Sequence, residues 1–336
     1  MRAVVYEGPN TIALKAVLEP SVKEGFTKVK IAYAGLCGGD VGIYGGLHPR
    51  AKAPLIMGHE ASGLVVEGHP TLKPGTAVTI NPLITCGVCT PCRTGDEHVC
   101  QTLGLYGIDA DGAMADYMLV PNRRIIPLPV GMDIETGALA EHVAVVVHAI
   151  RETGYLPGDK AVIFGAGPVG LALGIALRTW GCTNLAIVEV NPTRRAFAED
   201  LGFDTIDPAT EDVVDAVKSR TDGRGADHVY DCAGHQSVAE ILPRVVKVRG
   251  TIVIVALYKK QPEFDMRQCV FVEAVLRFVR VYRDIDFVIA AELLQTEPDF
   301  KKLITHVLEP SDVQAGFDMM LDPKTTSQKI LLKFGE

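Results

Sequence analysis

Four cysteines, Cys86, Cys89, Cys92 and Cys100, fall within fifteen residues in the spacing Cys-x2-Cys-x2-Cys-x7-Cys. Thiolates this close in sequence can wrap a soft cation at little loop-closure cost, and four suffice for a closed tetrahedral zinc site. An iron–sulfur cluster is the chemical competitor. A bacterial ferredoxin run, however, has a short last gap followed by proline, whereas here the gap is seven and Gln101 follows. Left unligated, neighbouring thiolates repel one another and oxidise. The other four of the eight cysteines are scattered, which is not the pattern of a disulfide framework.

A second pattern suits a dinucleotide. After the apolar run Ala161-Val162-Ile163-Phe164 comes Gly165-Ala166-Gly167-Pro168-Val169-Gly170, a G-x-G-x-x-G at a strand-to-helix junction. The first glycine permits the tight turn, the second lets a pyrophosphate approach the backbone, and the third lets helix pack closely on strand. Helix N-terminal amides then face the phosphates. Glu189 ends the next apolar run, 24 positions after Gly165, where a ribose-binding carboxylate is expected. It favours NAD over NADP, because a carboxylate accepts from ribose hydroxyls and repels a 2′-phosphate; Arg194 and Arg195 nearby partly offset that repulsion. Cys232 and Val255 stand at later strand ends, where ligands of open sheets bind.

A third constellation is dispersed: Cys37-Gly38-Gly39-Asp40, then Gly58-His59-Glu60, then Glu141-His142. Taken singly, each is weak, since a lone cysteine is usually core and a His-Glu pair usually surface polarity. Their company with a nucleotide fingerprint and a four-cysteine lobe makes them metal candidates.

These residues need a scaffold, and the chain of 336 residues is long enough for two domains. To about Gly131, short apolar runs are broken by Gly and Pro, as in Lys28–Tyr33 and Ala77–Ile80, which predicts a β-rich domain. A helical stripe follows from about Ile134 to Thr153. Strands and helices then alternate: Lys160–Phe164, a helix to Trp180, Leu185–Val190, a helix to Leu201, His228–Asp231, a helix to Lys247, and Thr251–Leu257. Such alternation implies a parallel, doubly wound α/β sheet. The pattern fades near Pro298, and Lys329–Phe334 reads as a closing strand.

Together these motifs resemble the zinc-dependent medium-chain dehydrogenases over essentially the whole chain. The resemblance implies a GroES-like catalytic domain over 1–145 with its zinc lobe at about 84–102, a Rossmann NAD-binding domain over 146–289, and a return to the catalytic domain over 290–336. It also implies two zinc ions per chain. Carried across, Cys37 and His59 ligate a catalytic zinc in the cleft, with Glu60 and Glu141 as further ligands or as holders of its water. Asp40 orients His59, with helix N-capping as its other role, and Cys86, Cys89, Cys92 and Cys100 hold the structural zinc. Lys329 resembles the basic position that meets the coenzyme pyrophosphate. Relatives usually carry Ser or Thr where this chain has Gly39, and many carry His where it has Gly42. The alcohol proton is therefore expected to leave through Glu60 or Glu141, or through His48 or Tyr44.

Zinc lowers the pKa of a bound hydroxyl, which readies a secondary alcohol to give hydride to a nicotinamide. The carboxylate-rich site and the stretch Val281–Phe287 look more like polyol and vicinal-diol dehydrogenases than ethanol-type enzymes. L-threonine 3-dehydrogenase is the alternative, and Arg50 the cation that could anchor an amino-acid carboxylate. A non-catalytic NAD sensor would need no second metal. The formal charge of −8 disfavours nucleic-acid or anionic-membrane partners. The N-terminal residues leave no apolar core for a secretory signal, so a cytoplasmic location without a membrane span is expected. A homotetramer is expected, with Thr251–Leu257 and Val270–Val281 as a candidate subunit edge.

Overall fold

The computed structural model describes residues 1–322 and 324–335 and divides the chain into two units, Met1–Ala144 with Tyr282–Glu336, and Val145–Val281. In the first, strands run in the order Ile125–Pro127, Ala77–Ile80, Glu60–Glu67, Phe26–Leu36, Lys329–Lys333 and Ile304–Leu308, with Tyr117–Pro121 also paired to Phe26–Leu36. Phe26–Leu36 holds this sheet together because it pairs with three strands and is buried along most of its length. The unit also has a three-stranded sheet of Thr11–Ala16, Arg2–Gly8 and Leu55–Ile56 and the short pair Leu83–Ile84 and Gly104–Leu105.

The second unit is a six-stranded parallel sheet in the order Asp204–Ile206, Leu185–Val188, Ala161–Phe164, Ala226–Asp231, Val246–Ile254 and Val275–Phe278. Counted along the chain this is 3-2-1-4-5-6, the Rossmann order, whose switch point lies between Ala161–Phe164 and Ala226–Asp231. Its core is aliphatic, with Val162, Val188, Val229 and Ile252 fully or nearly fully enclosed.

Several expected elements shift. The helical stripe breaks into Ile134–Gly137 and Ala140–Thr153, and the division between units falls inside the second helix. The second unit ends at Val281 rather than 289, because Tyr282 onwards is tied by hydrogen bonds to the first. The expected strand Thr251–Leu257 instead spans Val246–Ile254, which leaves Val255 beyond its end. Asp204–Ile206 is too short to stand out as an apolar run, and Val275–Phe278 is the strand within the candidate subunit edge Val270–Val281. Among the described residues, no helix is long and apolar enough to cross a membrane.

Candidate active site

The dispersed constellation comes together at the ends of three neighbouring strands. Phe26–Leu36 pairs on one side with Glu60–Glu67, placing Gly35 opposite Glu60, and on the other with Lys329–Lys333, placing Leu36 opposite Ile330. Cys37 follows directly, so Cys37, Glu60 and Lys329 share one edge of the sheet. Gly35 makes the packing feasible, since a Cβ there would lie 2.3 Å from Glu60 Oε2. Cys37 itself, in extended conformation, caps the helix Gly38–Tyr44. Asp40 is therefore not the N-cap; it sits one turn inside, and its Oδ2 accepts from Cys37 N at 2.9 Å. Its Oδ1 faces His59 Nδ1 at 3.5 Å, an ion-pair distance with no hydrogen bond between the two atoms.

The donor atoms of Cys37, His59 and Glu60 all lie within 4.8 Å of one another, a thiol, an imidazole and a carboxylate of the kinds that bind zinc. Glu141 is not in that mutual set. It opens the helix Ala140–Thr153, and its Oε1 accepts from Tyr282 OH at 2.9 Å. Burial pushes the Glu141 carboxyl up to about 7, against the pull of His59. Burial also opposes an imidazolium at His59, yet the facing Asp40 and Cys37 hold its pKa well above the ordinary range. These opposed tendencies describe a nest of acids and bases that would be relieved by one multivalent cation.

Lys329 does not stand free for a pyrophosphate. Entering on the strand beside Cys37, it is 2% exposed, and its Nζ donates to both Glu60 oxygens at 2.7 and 2.8 Å. Tyr44 is likewise engaged: its ring stacks on Phe317 and its OH accepts from Gln314 Nε2 at 2.9 Å. His48 Nδ1 accepts from Arg50 N and Ala51 N, leaving Nε2 as its exchangeable nitrogen. Side chains at positions 39 and 42 are sterically allowed, since a Cβ at Gly39 meets only Cys37 Sγ at 4.0 Å and one at Gly42 meets nothing. The missing hydroxyl and imidazole are thus a chemical difference and not a packing requirement.

The four-cysteine lobe forms its own cluster. All four sulfurs lie within 4.8 Å of one another, with Cys86 to Cys92 at 3.9 Å and Cys89 to Cys100 at 3.8 Å. A tetrahedron with Zn–S of about 2.3 Å has edges of about 3.8 Å, so the spacing fits zinc. Cys86 N donates to Cys100 Sγ and lowers that thiol to about 6, whereas desolvation and the Cys89 thiol push Cys92 up to about 12. The four cannot all ionise without a cation to share.

In the second unit a cavity of about 440 Å³ opens at the strand ends. Gly165, Gly167, Glu189, Arg194 and Cys232 line it; Pro168, Val169, Gly170 and Val255 do not. Pro168 and Val169 begin the helix Pro168–Thr179, and Gly170 serves close approach, a Cβ there lying 1.9 Å from Gly165 O. Glu189 Oε2 accepts from Ala166 N and Oε1 from Asn191 N, both at 2.7 Å, so it also braces the glycine turn. A carboxylate retains lone pairs for further donors.

A Rossmann unit joined to a β-rich unit that carries a Cys–His–Glu cluster and a four-thiol lobe defines a zinc-binding alcohol dehydrogenase. The family profile described as alcohol dehydrogenase GroES-like domain matches residues 23–130, and that described as zinc-binding dehydrogenase matches residues 168–296. The chain belongs to the zinc-dependent medium-chain dehydrogenases. It is 35% identical to 2-dehydro-3-deoxy-L-galactonate 5-dehydrogenase of Pseudoalteromonas atlantica over 88% of each chain. The crystal structure of 2R,3R-butanediol dehydrogenase from Bacillus subtilis matches with a TM-score of 0.91 at 30% identity, covering 99% of both chains. A zinc-binding dehydrogenase structure from Sinorhizobium meliloti bound to NADP matches with a TM-score of 0.91 at 28% identity, covering 99% of this chain and 98% of that one.

Proposed function

We propose that this enzyme oxidises a secondary alcohol of a polyol, sugar alcohol or vicinal diol with NAD, holding one zinc at Cys37, His59 and Glu60 beside Glu141 and a second in the four-cysteine lobe. The observation that carries the reading is the convergence of those donors beside a buried carboxyl pushed up to about 7. When bound, zinc supplies a Lewis acid for the substrate hydroxyl and the nicotinamide a hydride acceptor. The chain's residues do the rest. Asp40, its Oδ1 3.5 Å from His59 Nδ1, orients the ring electrostatically. Glu141, with Oε1 held by Tyr282, can take a proton at Oε2 near neutral pH. Glu189 favours the free ribose hydroxyls of NAD over the 2′-phosphate of NADP.

The Arg50 guanidinium already bonds Leu103 O at 2.6 Å and faces Asp109 at 3.3 Å, so it is a poor anchor for an amino-acid carboxylate, and this disfavours threonine. The four close thiols suit a reducing cytoplasm. A second copy of the chain fits the edge strand Val275–Phe278, where Phe278 is 73% exposed. Val279 N donates inward to Ile254 O, so by alternation Leu276 and Phe278 offer their backbone outward, together with the carbonyl of Ala274, whose N–H is taken by Cys269 O. A two-fold antiparallel pair centred on Val275 then sets Glu273 opposite Arg277 in both directions, and such pairs can assemble further into a tetramer.

The test is zinc quantification together with NAD and NADP reduction across polyols, sugar acids, 2,3-butanediol and L-threonine. Two zincs and NAD-linked turnover of a polyol or diol are expected. Turnover of threonine alone, or one zinc with no turnover, overturns the reading.

A further inference from the structure

Arg124 is the largest fully buried side chain, 1% exposed, and none of the chemistry above uses it. It ends the short turn Asn122–Arg124 and reaches in two directions. NH2 donates to Glu97 Oε2 at 2.7 Å and Thr85 Oγ1 at 3.0 Å, both within the four-cysteine lobe. NH1 donates to Asp284 Oδ1 at 2.8 Å, an oxygen that also receives Asn81 Nδ2 at 2.8 Å. Two residues before Asp284 stands Tyr282, the donor to Glu141. Arg283, between them, pairs with Asp96 of the lobe at 3.0 Å, and its N donates to the buried Asp286. The lobe thus grips the segment Tyr282–Asp284 twice, once through Arg283 and once through the fork of Arg124.

We propose that Arg124 is a positioning residue that couples the four-cysteine lobe to the Cys37–His59–Glu60 cluster, by fixing Asp284 and through it the Tyr282 hydroxyl on Glu141. The inference rests on the two-metal reading above. Only a planar fork can hold donors at both ends at once; a lysine keeps the charge but reaches one end. Order imposed on the lobe by its metal is then transmitted to the cluster, and by linkage a metal in the cluster stabilises the lobe.

The experiment measures zinc release from the intact enzyme to a chromophoric chelator, with the cluster's phase identified as the one absent from Cys37→Ser. Arg124→Met, Asp284→Asn and Tyr282→Phe are each expected to speed that phase about tenfold while the lobe keeps its zinc, and either of the first two combined with Tyr282→Phe to add nothing further. Arg124→Lys is expected to behave as Arg124→Met does. Asp284 is 62% exposed, so Asp284→Asn keeps the test open should Arg124→Met fail to fold. Additive effects in the double variants, an unchanged release rate, or full rescue by lysine overturn the link alone. A wild-type enzyme with a single release phase and one zinc overturns the two-metal reading, and the link with it, before any variant is needed.

Discussion

Replacing Lys329 by Met tests whether the strand-end cluster is held by a buried ion pair. Glu60 is fully buried and Lys329 2% exposed, so Lys329→Met removes the ammonium that donates to both Glu60 oxygens while keeping the side chain's volume. Removing one partner of a buried pair costs about 3–5 kcal/mol when the other must stay charged. Burial opposes both charges in the native pair, yet attraction prevails: Glu60 is held below its usual 4.5 and Lys329 above 10.5. The wild-type pair therefore contributes stability that is complete above about pH 4.5 and is lost as the pH falls through the lowered Glu60 value. It is lost again as the pH rises through the raised Lys329 value. In the variant the sign at Glu60 is expected to reverse, because burial, the largest influence on it, then raises its pKa against only the lesser pull of His142 and His59, and folding becomes less favourable as the pH rises. The difference between the two proteins should thus grow by about 1.4 kcal/mol per pH unit above the unfolded glutamate pKa, until the raised pKa is passed.

The assay must report the right unit. Trp180, the single tryptophan, follows the helix Pro168–Thr179 in the other unit, so its fluorescence does not serve. Amide hydrogen exchange of metal-free protein at two pH values, read on peptides covering Phe26–Leu36 and Lys329–Lys333, does. A loss of protection worth about 3–5 kcal/mol near pH 8, shrinking towards pH 5, is expected. A difference below about 1 kcal/mol, or one that does not change with pH, refutes the reasoning. Added zinc should restore part of the protection, since it replaces the ammonium as the partner of Glu60.

Three other outcomes are expected. Glu189→Ala removes the acceptor for Ala166 N and for the ribose, and should raise the KM for NAD about tenfold or more while narrowing the preference over NADP; an unchanged coenzyme ratio would show that Glu189 only braces the turn. Gly39→Ser has room beside Cys37 Sγ and gives the proton a second exit, so turnover should persist below about pH 7, where Glu141 is protonated; an acid limb identical to wild type speaks against the Glu141 route. Arg277→Glu sets like charges opposite Glu273 across the proposed two-fold strand pair and should dissociate the oligomer in sedimentation, while adding Glu273→Arg should restore it. A monomeric wild type, or no effect of the charge reversal, removes that interface.

The parts of the site that were legible in the sequence share a property: their chemistry is carried by residue type at short range. The four cysteines need only a loop of fifteen residues to meet, and the glycine turn needs only the strand before it and the helix after it. Cys37, His59 and Glu60 were nameable through resemblance, although their meeting depends on the pairing of Phe26–Leu36 with Glu60–Glu67, which periodicity suggests but does not register. What escaped are the partners that arrive from far along the chain. Lys329 lies 269 residues from Glu60, Tyr282 lies 141 from Glu141, and Arg124 lies 160 from Asp284. One signal was present: Lys329 opens the apolar run Ile330-Leu331-Leu332, which reads as buried on both faces, and a lysine drawn into such a strand requires an anion. Arg124 offered no such cue, because it sits in a turn where alternation has no meaning. The residues that set a zinc site's charge can thus be less visible than those that ligate it. Ligands are confined by metal geometry to a few side-chain types, whereas a counter-charge can arrive from wherever the fold brings a strand or turn alongside.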